Sequence, residues 1–221
     1  MRQHSLLTLC VSLLLLMGAV SCTGTNKRSD SASTAQAVAL PELAEGQLVE
    51  FEDDTLRIVD ATPEGTDQAV FLIQPKWAGF APFEVKGAWA FLAFEAKTPG
   101  HLLLSEGTGV IRELQAFDLL TGKMTGKFEQ YMSGPTIEVE NDNQILFYAY
   151  GNDYPQAQWD PATGEWTFSN DVPEHLKASV RALDSELQDF VFTAMAYRKI
   201  RMYLDSGRIE ELDEYKWGYM Q

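Results

Sequence analysis

Gln115-Ala-Phe-Asp-Leu-Leu-Thr-Gly-Lys123 is the stretch that decides the fold, because the chain repeats it. A copy returns as Gln156-Ala-Gln-Trp-Asp-Pro-Ala-Thr-Gly-Glu165, with Asp118 and Asp160 spaced by 42 residues. A third follows as Arg201-Met-Tyr-Leu-Asp-Ser-Gly-Arg208, Asp205 standing 45 residues beyond Asp160. In each, an apolar run meets an Asp that can accept a hydrogen bond from the backbone two residues on. A Gly able to take positive φ then precedes a new extended run. That is hairpin chemistry.

Short extended runs surround these turns. Val49 and Phe51 alternate with Glu50 and Glu52, and Leu56 and Ile58 alternate with Thr55 and Arg57, the period-two pattern of half-buried strands. Ala69–Ile73, His101–Ser105, Val110–Phe117, Lys127–Met132, Thr136–Glu140 and Gln144–Tyr150 continue the series. Ala88-Trp-Ala-Phe-Leu-Ala-Phe94 is apolar on both faces and is expected in the middle of a packed core. One segment departs from the pattern: Pro173–Leu187 puts Leu176, Val180, Leu183 and Leu187 at helical spacing, with Asp171 or Pro173 at its start. The stretch from Phe190 to Leu204, followed by Gly207 and Ile209–Tyr219, reads as a closing hairpin. The fold class predicted is all-β, a mainly antiparallel sandwich or barrel-like domain with one helix near 173–187 covering a sheet edge or barrel end. A period near 42 also fits blades of four strands, so a small four-bladed propeller is the alternative.

The first 21 residues carry one early cation, Arg2, an apolar segment from Leu6 to Val20, and then small residues up to Cys22. The run is too short to span a bilayer comfortably and reads as a signal peptide. Ala19-Val-Ser-Cys22 resembles a lipobox, with Ala19 where that family usually has Leu. The resemblance to bacterial lipoproteins implies that Cys22 becomes an acylated N-terminus, and acyl chains hold a protein on a membrane at about 0.8 kcal/mol per buried CH₂. Thr23 in the second mature position, rather than Asp, implies an outer-membrane anchor facing the periplasm. Residues 22–37 then form the lipidated Cys and a flexible polar tether, and 38–221 form a single β-rich domain.

Cys10 and Cys22 are the chain's two cysteines. An acylated mature chain therefore has no free thiol, which excludes disulfides, thiolate metal sites and cysteine nucleophiles. The mature chain keeps His101 and His175, neither in a metal-binding or nucleophile-elbow spacing. No cofactor or metal is expected. The precursor's formal charge is −15, and losing Arg2 makes it −16. Such a balance excludes nucleic acid as a partner, since basic residues must neutralise phosphate.

The densest run of recognition-type side chains is Tyr148 to Trp166. Tyr148, Tyr150, Tyr154, Trp159 and Trp166 offer large rigid contact areas, and Asp160, with Asn152 and Asp153, can hydrogen-bond a sugar or peptide. These are the candidate ligand-binding residues. The apolar connection Trp77–Phe83 is expected to fold back over one end of the sheet. Ser105-Glu-Gly-Thr-Gly109 is similar to the Ser-Gly loop of periplasmic lysozyme inhibitors, but lacks the aromatic that follows it there. An acidic chain would suit a cationic lysozyme electrostatically. The functional expectation is an envelope lipoprotein with a non-enzymatic domain that binds a protein or glycan. The alternatives are a lysozyme-inhibitor-like protein and a carboxylate-based glycan hydrolase, with Glu106 and Asp118 or Asp160 and Glu165 as nominal pairs.

Overall fold

Two of the repeated stretches make the same turn. Gly122 N–H donates to the Asp118 carbonyl, and Gly164 N–H to the Asp160 carbonyl, each at 2.8 Å. Both glycines sit at φ 67°, where an L side chain is strained. In the third turn Gly207, at φ 65°, donates to the Tyr203 carbonyl at 2.8 Å. Tyr203 is thus the geometric counterpart of Asp118 and Asp160. Asp205, which the spacing aligned with them, lies two residues inside the turn, because the position of the glycine fixes the register and the Asp only decorates it.

The computed structural model describes residues 37–88, 91–151, 153–169, 172–186 and 192–219. The signal segment, Cys22 and the tether to residue 36 lie outside the described residues, as do Trp89, Ala90, Asn152, Asp171, Leu187 and Phe190. Four strands, β1 (Leu48–Glu52), β2 (Leu56–Asp60), β3 (Val70–Pro75) and β4 (Phe83–Lys86), pair in sequence order. A second sheet begins with β5 (Leu92–Lys97), β6 (His101–Glu106), β7 (Ile111–Asp118) and β8 (Met124–Met132). It continues through β9 (Glu138–Asn141), β10 (Gln144–Ala149), β11 (Gln156–Asp160), β12 (Glu165–Ser169), β13 (Phe192–Tyr203) and β14 (Arg208–Tyr219). The three repeated turns close the β7–β8, β11–β12 and β13–β14 hairpins. Neither sheet closes into a barrel, and no four separate blades form. The fold is an all-β antiparallel sandwich.

The second sheet doubles over on itself. Its two halves are joined where β8 meets β10 at one register pair, Tyr131 with Ala149. Leu103, Leu114 and Ala116 from the first half then pack against Ile145, Phe147, Ile200 and Met202 from the second. On the other face, Leu102, Leu104 and Phe117 pack against Leu56, Ile58, Phe71 and Ile73 of the small sheet. The β5–β8 half is therefore a middle layer, and every residue of β6 is buried. Each fully covered Leu in it contributes roughly 1.5–3 kcal/mol relative to exposure.

Here the structure corrects the sequence. The doubly buried strand is β6, whereas the run ending at Phe94 becomes β5, half-buried at the edge of its sheet. β6 can be buried on both faces because its two carboxyl-end polar side chains are hydrogen-bonded within the sheet. Ser105 Oγ donates to Glu95, and Gln115 Nε2 donates to Glu106 at 3.1 Å. Tyr131, fully buried, donates to the same Glu95 at 2.7 Å. Burial, and then that carboxylate, push the phenol far above its usual range.

The layers are also tied by polar contacts. Asp53, in the β1–β2 turn, accepts from the N–H of Thr55 and of Leu56 at 2.8 and 3.0 Å. It pairs with Lys97 of β5 at 2.7 Å. Burial opposes its charge, but Lys97, the Thr55 hydroxyl and the two amides outweigh burial and hold its carboxyl well below the usual range. Gly126 of β8 and Gly207 of the β13–β14 turn meet backbone to backbone; a Cβ on Gly126 would stand 2.7 Å from the Gly207 Cα. The connection Trp77–Phe83 folds back in part. Phe83 enters the core beneath the small sheet, Trp77 bridges Ala37, and Phe80 stays 38% exposed.

The predicted helix is α1 (Glu174–Ser179), continued by a 3-10 run, Val180–Glu186. It covers a face of the β11–β14 region rather than an edge or a barrel end. Leu176 and Val180 are buried against Ala157, Ala194, Ala196 and Trp217. Trp217 Nε1 pins the helix by donating to the Leu176 carbonyl at 2.8 Å and to Ser179 Oγ at 3.1 Å.

Candidate functional site

Strand pairing brings two of the predicted aromatics together. Trp159 of β11 faces Trp166 of β12 in register, their ring centroids 5.5 Å apart. Ala157 pairs with Phe168 two residues along. Alternation therefore puts Trp159, Trp166 and Phe168 on one face, the face that α1 covers only in part. Between the tip of this hairpin and the helix lies an open cleft of about 690 Å³, within the size range of ligand sites.

The opposite wall was not read from the sequence. Lys177 and Arg181 stand one helical turn apart on α1 and its 3-10 continuation. Lys177 Nζ pairs with Glu174 at 2.6 Å and lies 6.0 Å from the centre of the Phe168 ring. Arg181 is exposed and has no carboxylate partner among the described residues. The signal was present: Lys177 and Arg181 each directly follow a buried position, Leu176 and Val180, so they flank the packed stripe. Glu165 completes the rim at the hairpin end. The Trp159 indole Nε1 is out of solvent and has no acceptor among the described residues. A buried donor without a partner costs about 1–3 kcal/mol.

The other predicted residues lie elsewhere. Tyr148 is on the outer face of β10, where its hydroxyl donates to Glu214 at 3.2 Å and Lys199 and Lys216 each lie 5.9 Å from its ring centre. It borders a separate cavity of about 320 Å³ with Tyr197 and Lys216. Burial, then Glu214, raise its pKa. Tyr150 follows β10, its N–H bonded to the Gln130 carbonyl at 2.9 Å. Tyr154 meets Tyr215 edge to face at 6.3 Å. Asp160 is a turn residue, its Oδ1 accepting from Ala162 N–H at 2.9 Å. One strand's alternation and two turns thus divide a run that looked continuous in sequence into separate places.

The two nominal acid pairs are placed differently. His101 pairs with Asp118 and Glu106 with Glu113, so Glu106 and Asp118 lie five residues apart along the β6–β7 hairpin, roughly 16 Å. Asp160 stands directly opposite Glu165 in the β11–β12 pairing, and its Oδ1 also holds its own turn. Ser105 is buried inside β6 and bonded to Glu95, while residues 107–110 form the β6–β7 connection. The comparisons with known proteins return no matching family model, no matching curated protein and no matching solved structure. The fold and site together define a layered all-β domain with an aromatic cleft walled by two cations.

Proposed function

We propose that this chain is a lipid-anchored envelope protein whose β domain binds a glycan non-enzymatically in the cleft between Trp159, Trp166 and the α1 wall. The carrying observation is the paired indoles beneath an open cleft. Indole faces stack on the C–H faces of sugar rings. A protein partner would more often meet a flat, apolar-centred patch, whereas this site is concave and ringed by charge. The lipobox-like Ala19-Val-Ser-Cys22 supports the anchor, and the polar tether would let the domain reach a wall polymer.

The test is isothermal titration of the detergent-solubilised full chain with envelope oligosaccharides. Trp159→Ala is expected to lower affinity at least tenfold while leaving the far-UV spectrum unchanged. Equal affinity of the two proteins would sink the site. Independently, radiolabelled palmitate should enter the wild-type chain and fail to enter Cys22→Ala.

A further inference from the structure

We infer that the cleft selects an acidic saccharide, with Arg181 meeting the sugar's carboxylate; this rests on the glycan reading above. The two cations of the wall are not equivalent. Lys177 is paired with the exposed Glu174 at 2.6 Å and leans over Phe168, so its ammonium already has a carboxylate and a ring beside it. Arg181 carries its charge uncompensated among the described residues. Its guanidinium presents a planar fork of donors matched to a carboxylate.

The position is also held. Val180, directly before it, is fully buried, and the turn before that is pinned by the bonds from Trp217. The backbone under Arg181 is therefore anchored although the side chain is free. Across the cleft Glu165 accepts but cannot donate, which suits sugar hydroxyls and repels a second carboxylate. One wall takes the acid and the other takes the alcohols, so the site fixes a direction for the ring lying on the indoles. In a chain of formal charge −15, long-range attraction works against any anion. An acidic ligand must then be selected by a local cation, and the cleft provides one.

The experiment titrates the full chain in detergent with tetragalacturonate, with its fully methyl-esterified form, which keeps the rings and removes the charge, and with polyglutamate of similar charge. Wild type should bind the acid at least tenfold tighter than the ester. Arg181→Gln should bring that ratio to about one. Trp159→Ala should weaken both sugars. Equal affinity of wild type for acid and ester overturns the acidic preference and leaves glycan binding standing. Polyglutamate binding as tight as tetragalacturonate overturns it as mere charge attraction. Failure of wild type to bind either sugar overturns both readings. A loss of both sugars in Arg181→Gln, with its melting temperature unchanged, would show that Arg181 serves the platform generally and would also overturn the preference.

Discussion

The turns at Asp118–Gly122 and Asp160–Gly164 share a hydrogen bond, a φ value and nearly a sequence, yet they serve opposite ends. The first is packed between layers: Leu119 is 7% exposed, and a Cβ on Gly122 would stand 2.8 Å from the Phe83 ring. The second projects into solvent beside the cleft, and a Cβ on Gly164 would touch only the Trp159 ring, at 3.9 Å. A local motif therefore specifies a bend and says nothing about what the bend will meet. Identical turns become a structural clamp or the rim of a site according to the surface each lands on.

Substitution at the two glycines should break the likeness most. Gly122→Ala carries the positive-φ penalty of about 1–2 kcal/mol plus overpacking of about 1–3 kcal/mol, and Gly164→Ala carries the first alone. Urea melts should show Gly122→Ala losing about twice as much stability or more; equal losses would mean that the Phe83 contact yields freely.

The aspartates should differ less. Asp118 Oδ1 accepts from both the N–H and the hydroxyl of Thr121, each at 2.7 Å, while Asp160 Oδ1 accepts from Ala162 N–H. At about 0.5–1.5 kcal/mol per bond, Asp118→Ala should cost about 1–3 kcal/mol and Asp160→Ala about half that, measured by the same melts.

A smaller effect distinguishes them in acid. The Thr121 hydroxyl, against slight burial and with help from the Thr121 amide and nearby His101, holds the Asp118 carboxyl below its ordinary range. A carboxylate depressed on folding contributes stability that is present above its unfolded pKa, about 3.9, and is lost as pH falls through the lower folded value. Wild type should thus lose stability more steeply than Asp118→Asn as pH falls below about 4. Parallel acid titrations followed by tryptophan fluorescence would check this, and coincident slopes would count against it.

What was legible in the sequence was what is local. Asp-x-x-x-Gly fixes a turn through contacts within five residues, so two hairpins and their register could be read directly, and the third through its glycine. The layering could not, because Leu103 and Leu104 are equally apolar and only the tertiary fold sends one to the Ile145 side and the other to the Ile58 side. The same holds for the site. Trp159 and Trp166 are joined by a turn that the sequence announces, whereas Tyr148 sits on the outer face of its strand and leaves them. Arg181 reaches the indoles through a helix whose docking depends on Trp217, some forty residues away.

β13 gives the molecule a temporal order. Along one edge it holds β11 at Phe192–Met195 and β10 at Arg198–Tyr203, while β14 runs down the other. Until residues 192–219 have emerged, both β10 and β11 present bare backbone toward the place that strand will fill, and bare edges invite pairing with other chains. A chain truncated or stalled before Phe192 therefore lacks the shared partner of these two strands, and its fate becomes aggregation or capture by whatever escorts unfinished proteins.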